Sequence, residues 1–199
     1  MKLSRRTLTA TVAAIALALA AGAATPTLAQ MKSNGMKDEK TVTVGGAPMY
    51  PSKNIIQNAV NSKDHTTLVA AVKAAGLVET LQGPGPFTVF APVNAAFKKL
   101  PAGTVEMLLK PENLEKLRAV LTYHVVPGRL SAKDLTAAAK KAGGKASFKT
   151  VEGDTLWVES KGSALTVWDA KGNASKVTIQ NVFQSNGVIH VVDTVLMPG

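Results

Sequence analysis

Tyr123 and His124 stand side by side inside "LTYHVVPGRL" (121–130), in a chain of 199 residues with only three histidines and two tyrosines. A second candidate pair is "HVVD", where His190 precedes Asp193. An imidazole next to a phenol or carboxylate could shuttle a proton near neutral pH. Strand parity argues against both pairs. If "VIHVVD" is extended, His190 shares a face with Val188 and Val192, while Asp193 shares the other with Ile189 and Val191. If "YHVV" is extended, Tyr123 and His124 are divided in the same way. At least one of them is then expected inside, with its polar atom hydrogen-bonded, because an unpaired buried group costs about 1–3 kcal/mol. The exposed part of the pair stays open as a recognition surface, and no catalytic role is expected of either residue.

No other constellation supplies chemistry. The chain has no cysteine, which excludes disulfides, thiolate metal sites and a lipid-anchored cysteine. There is no Gly-x-Ser-x-Gly elbow and no phosphate-cradling Gly-x-x-x-x-Gly-Lys run. His65, His124 and His190 show no metal-pair spacing. The expectation is a non-enzyme with no metal and no cofactor. Lys140, Lys141, Lys145 and Lys149 form the only cationic cluster, and with Phe148 the one aromatic among them they lack the interleaved aromatics that base stacking would need. Nucleic acid is therefore not an expected partner.

The first 29 residues read as an export signal. Lys2, Arg5 and Arg6 precede an apolar run, and Thr27-Leu28-Ala29 supplies the small residues of a cleavage site. The run is too short to span a bilayer. "SRRTL" leaves both the general and the twin-arginine export route open. The whole chain has 23 basic and 13 acidic residues; three of the basic ones lie in the signal, leaving 20 against 13, a formal +7. A secreted or periplasmic protein with no stable membrane insertion is expected.

The elements that must position these residues follow a simple order. Residues 30–49 are polar and Gly-containing and read as a flexible leader, with a short strand at Thr41–Val44. "NIIQNAV" and "HTTLVAAVKAAGL" are helical in period, with Asp64 or Thr66 available as a cap. "FTVFA" is a short strand, and "VNAAFKKL" and "TVEMLLKPENLEKLRAVLTYH" are helical again. Beyond Ala139 the period changes to two in "TLWVES", "ALTVW", "KVTIQNVF" and "VIHVVDTVLM". Asn186-Gly187 marks a hairpin, with Gly187 read as supplying a positive φ. Helices first and strands later predict an α+β domain over 50–198.

Three stretches together resemble the fasciclin (FAS1) domain. "FTVFAPVNAAFKKLP" (87–101) is similar to its first signature, carrying Phe87, Phe90, Pro92, Asn94 and Phe97. "LTYHVVPGRL" is similar to its central Tyr-His motif, and "SNGVIHVVDTVLMP" (185–198) to its second signature, carrying Asn186, Gly187, His190 and Asp193. Val93 departs from the pattern, which has Thr there; a helix cap is lost unless Asn94 provides it. The resemblance implies a wedge of antiparallel strands with helices packed on one side. It also implies a single-domain secreted module for adhesion, with protein or anionic polysaccharide as partner at the cell surface. An alternative it implies is an extracytoplasmic carrier of an apolar molecule such as a carotenoid. With a single copy of the domain, bridging by tandem copies is not expected.

Overall fold

The computed structural model describes residues 40–199. The expected export signal and the first half of the expected leader, 30–39, lie outside the described residues.

The leader ends earlier than its composition suggests. Residues 42–49 form a hairpin of β1 (Val42–Val44) and β2 (Ala47–Met49). Gly45 and Gly46 make the turn, at φ +58° and +76°, which only glycine adopts without strain. Val44, Ala47 and Met49 are buried in the main core. The domain boundary placed at 50 is thus corrected. "VTVGGAPM" has apolar alternation around a Gly-Gly turn, the pattern of a hairpin.

Seven helices and a seven-stranded sheet complete the described residues. Helices α1 (Ile55–Ala59), α2 (Thr66–Ala74) and α3 (Val78–Gln82) lead into β3 (Phe87–Pro92). Helices α4 (Asn94–Lys98), α5 (Thr104–Leu108) and α6 (Leu114–Tyr123) come next, then β4 (Val125–Pro127) and α7 (Ala132–Lys141). Strands β5 (Lys145–Lys149), β6 (Thr155–Lys161), β7 (Ala164–Trp168), β8 (Ala174–Gln184) and β9 (Gly187–Val192) close the domain.

The sheet order is β4-β3-β9-β8-β7-β6-β5. The α+β class is as expected, but the sheet is mixed rather than wholly antiparallel, because β3 runs parallel to β9. Helices also occupy both faces of these central strands. Val89, Ala91, Ile189 and Val191 face a core built with α1, α2, α6 and the hairpin. Their neighbours Phe90 and Val192 belong to a second core, closed by α7 and the inner faces of β6 and β7. Every residue of β9 is buried, as strands covered on two faces must be.

Candidate functional site

Tyr123 is the last residue of α6, and His124 is its αR cap. The extended parity assumed from the sequence therefore does not apply. Successive helical residues diverge by about 100°, so both can be buried in different directions, and both are: Tyr123 is 0% exposed and His124 2%. The Tyr123 hydroxyl donates to the Thr155 carbonyl at 2.8 Å and accepts from the Ala170 N–H at 3.0 Å. It fastens the helix end to β6 and to the β7–β8 turn. Burial pushes its pKa up to about 12.

His124 works as a two-ended pin. Its Nδ1 lies 2.7 Å from the Val120 carbonyl, and its Nε2 accepts the Leu196 N–H at 2.9 Å. A carbonyl on one side and an N–H on the other select the neutral tautomer with the proton on Nδ1. Protonating Nε2 would set two donors against each other. Burial lowers the pKa to about 4, against the opposing pull of the Val120 carbonyl. Neither residue offers a surface, so the recognition reading of the pair is corrected by its depth.

His190 is also buried, its Nε2 2.9 Å from the Leu130 carbonyl and its ring stacked on Phe90 with centroids 5.8 Å apart. Burial lowers its pKa. Asp193 is turned elsewhere: it accepts from the Lys176 N–H at 2.8 Å and pairs with Lys99 at 3.3 Å. Burial disfavours its charge, but these donors and the Thr194 hydroxyl hold its carboxyl below the ordinary value. The two residues form no dyad.

The remaining signature residues are structural too. Asn94 does not cap its own helix, whose N-cap is Val93 without a side-chain bond. Instead its Oδ1 accepts the Thr67 N–H at 3.0 Å, and its Nδ2 donates to the Lys63 carbonyl at 2.8 Å. It thereby caps α2 from across the fold, in place of the expected Asp64 or Thr66. Asn186 accepts from the Ile55 N–H at 3.0 Å and donates to the Leu81 and Gly83 carbonyls at 2.8 and 2.9 Å. Gly187 does not have a positive φ. A Cβ there would collide with the Phe87 carbonyl oxygen, so close passage of two backbones demands glycine. Pro92 ends β3. Phe97 anchors a small cluster with Ala96, Val120 and Val195, and Phe87 packs beside the main core.

Other buried polar groups carry no such signature. Asn58 brackets the Tyr50 backbone and donates to Gln184. His65 is buried, with Ser62 Oγ 2.9 Å from its Nδ1. Burial lowers its pKa, partly offset by the Ala91 carbonyl and by Asp64. Among the described residues, no group of three His, Asp or Glu side chains is placed to hold a metal ion. An apolar cavity of about 50 Å³ lies between α1, α2 and the sheet, lined by Met49, Ile56, Val72, Leu121 and Ile189, among others. Cavities that take benzene run to about 150 Å³, so this one suits nothing as long as a carotenoid.

Residues 63–198 match the family model of the Fasciclin domain. The chain belongs to the fasciclin family. It is 43% identical over 181 residues to protein sll1483 of Synechocystis sp., covering 90% of each chain. It is 40% identical over 131 residues to the transforming growth factor-beta-induced protein ig-h3 of Sus scrofa, covering 66% of this chain and 17% of that one. In fold it is similar to a FAS1 domain pair from the insect cell adhesion molecule fasciclin I. That likeness has a TM-score of 0.65 at 18% identity, over 74% of this chain and 52% of the other. In this chain the Tyr-His and Asn-Gly stretches are thus internal fastenings of the fold.

Proposed function

We propose that this fasciclin domain is a non-enzymatic adhesion module that works outside the cytoplasm, as a secreted or periplasmic protein. It would hold protein or anionic polysaccharide at the cell surface. The observation behind this reading is the use made of the polar motif residues. Tyr123, His124, His190, Asn94 and Asn186 are all engaged by backbone groups of their own chain, so these motif residues serve the fold and the work is left to the surface. The basic, apolar and small-residue start of the chain supports export. Among the described residues no helix is long and apolar enough to cross a membrane. The fold likeness to a domain pair of an insect cell adhesion molecule points the same way.

The test is retention of the mature chain, beginning at Gln30, on isolated envelope and extruded polymer from its producing cells. Saturable, salt-weakened retention is expected, with no turnover of ester, peptide or glycoside substrates. Absence of retention on every fraction would overturn the reading.

A further inference from the structure

The chain has two tryptophans, and neither belongs to a core cluster. Trp157 on β6 and Trp168 on β7 are direct cross-strand partners. Their neighbours Leu156, Val158, Leu165 and Val167 point inward and are buried under α7. The indoles therefore stand on the opposite, outer face, half-buried. Small residues flank them in the same row: Ser147 beside Trp157 and Ala174 beside Trp168. The same outer face presents Lys145, Lys149, Lys161 and Lys176, and a single carboxylate, Glu159.

The sequence order hid this arrangement. The single aromatic within the lysine cluster along the chain, Phe148, packs against the inner core, yet folding sets Lys145 Nζ 4.6 Å from the Trp168 ring centroid and 5.7 Å from that of Trp157. Glu159 is occupied: it accepts from the Trp168 indole N–H at 3.0 Å and pairs with Lys161 at 2.9 Å. It also attracts Lys145, its cross-strand neighbour, so one carboxylate offsets only part of the charge of the four lysines.

We propose that this face docks an acidic polysaccharide, a polymer whose sugars carry carboxylates. Resting on the adhesion reading, the proposal names the surface and its occupant. The C–H faces of pyranose rings stack on indole, and rigid aromatic groups give contact area at low entropic cost. Sugar carboxylates meet Lys145, Lys149 and Lys176, and hydroxyls meet Ser147 and Thr166. Lys145 lies over the rings in the free protein and moves to a carboxylate when a sugar takes its place. Charge complementarity selects an anionic polymer. Half-buried rings paired across two strands, with Trp168 tied by Glu159, do not project as a membrane-inserting wedge does.

Because both tryptophans are in this patch, all indole emission of the chain reports on it. Titration with polygalacturonate should change that emission, and the apparent affinity should fall at least fivefold between 50 and 300 mM salt. Neutral dextran should bind at least tenfold more weakly, and polyglutamate, with charge but no sugar face, should leave the emission unaltered. An unchanged emission with polygalacturonate at low salt would overturn the proposal. So would an equal or larger response to polyglutamate, oligo-dT or phosphatidylglycerol vesicles. Trp157→Ala and Trp168→Ala should each reduce retention on immobilised polygalacturonate at least fivefold, while Trp157→Phe and Trp168→Phe, which keep an aromatic face, retain most of it. If the alanine variants melt like the parent and bind envelope material undiminished, this surface is wrong and the adhesion reading stands. If the parent binds polygalacturonate through these residues but no envelope fraction, the adhesion reading fails and this surface stands.

Discussion

The α6 end and the outer face of β5–β8 invert what their sequences suggest. The α6 end holds the most site-like dipeptide of the chain, and it is wholly enclosed: Tyr123 and His124 spend their polar atoms on Thr155, Ala170, Val120 and Leu196. The outer face has no motif at all, only two tryptophans and lysines spread over 32 residues, yet folding gathers them into one outward-facing patch. A recognisable motif can therefore mark what the fold needs in order to close. A binding surface built on strand faces is made by register, which no local spacing displays.

The comparison can be broken most forcefully from the inside. His124→Ala leaves the Leu196 N–H without its acceptor and opens a cavity, for an expected loss of about 3–5 kcal/mol. Gly187→Ala should destabilise by a similar amount, because its Cβ must displace the Phe87 carbonyl. Chemical denaturation would measure both. A His124→Ala protein that unfolds at the parent's midpoint would remove the distinction between the two regions.

Acid should sharpen it next. The unfolded chain protonates its histidines near pH 6.5, whereas folded His124 does so only near pH 4. The folded value is depressed, so the stabilising contribution is fully present above pH 6.5 and is lost as pH falls toward 4. The slope is at most about 1.4 kcal/mol per pH unit for each such histidine. His65 and His190 shift in the same direction. Asp193, Asp134 and Glu159 also have lowered folded pKa values, but their contributions are lost only around and below the ordinary carboxylate values, so the upper part of the interval, from 6.5 to about 5, belongs to the histidines. Melting temperature against pH should decline through that interval, and more shallowly in His190→Phe. A flat profile would mean that the imidazoles are not held neutral by the interior.

Tyr123→Phe is a finer cut. It keeps the ring and deletes one hydroxyl, leaving the Thr155 carbonyl and the Ala170 N–H unpaired, for about 1–3 kcal/mol. Thermal melting checks it. Binding to envelope material should be unchanged once the variant is folded, because the hydroxyl is inside.

How far the sequence could be read follows from where its physics is local. The alternating runs of β6–β8 and the helical face of Leu117, Val120 and Leu121 were legible because one buried face imposes a period, and β9, buried on both faces, because its run is apolar throughout but for His190. Strand β4 has three residues and continues directly from a helix, so the run "YHVV" hid the change from helix to strand. Strand β5, "KASFK", has just Ala146 and Phe148 facing inward, too little apolar signal to stand out from the lysines. Strand parity does not govern Tyr123 and His124, because they sit at a helix end. Asn94 capping α2 and Gly187 making room for Phe87 depend on partners at least 27 residues away, which no window along the chain contains. The signatures for the fold were readable, but the outer patch depended on the register of four strands.

The smallest effect expected tests the other side of the comparison. Lys145→Ala removes an ammonium that is exposed, makes cation–π contacts with Trp168 and Trp157, and attracts the cross-strand Glu159. Such contacts at exposed sites contribute about 0.5–1 kcal/mol, and the smaller side chain is no worse a neighbour for the rings. The stability change should therefore stay under about 1 kcal/mol. The indole emission, however, should change measurably, since a positive charge is removed from the faces of both fluorophores. Equilibrium denaturation and emission spectra on the same samples would separate the two quantities. A loss comparable to that of Tyr123→Phe would make Lys145 part of the scaffold, and the outer face would then be held for the same reason as the interior. A change confined to emission would instead leave this face free to bind, with the fold secured elsewhere.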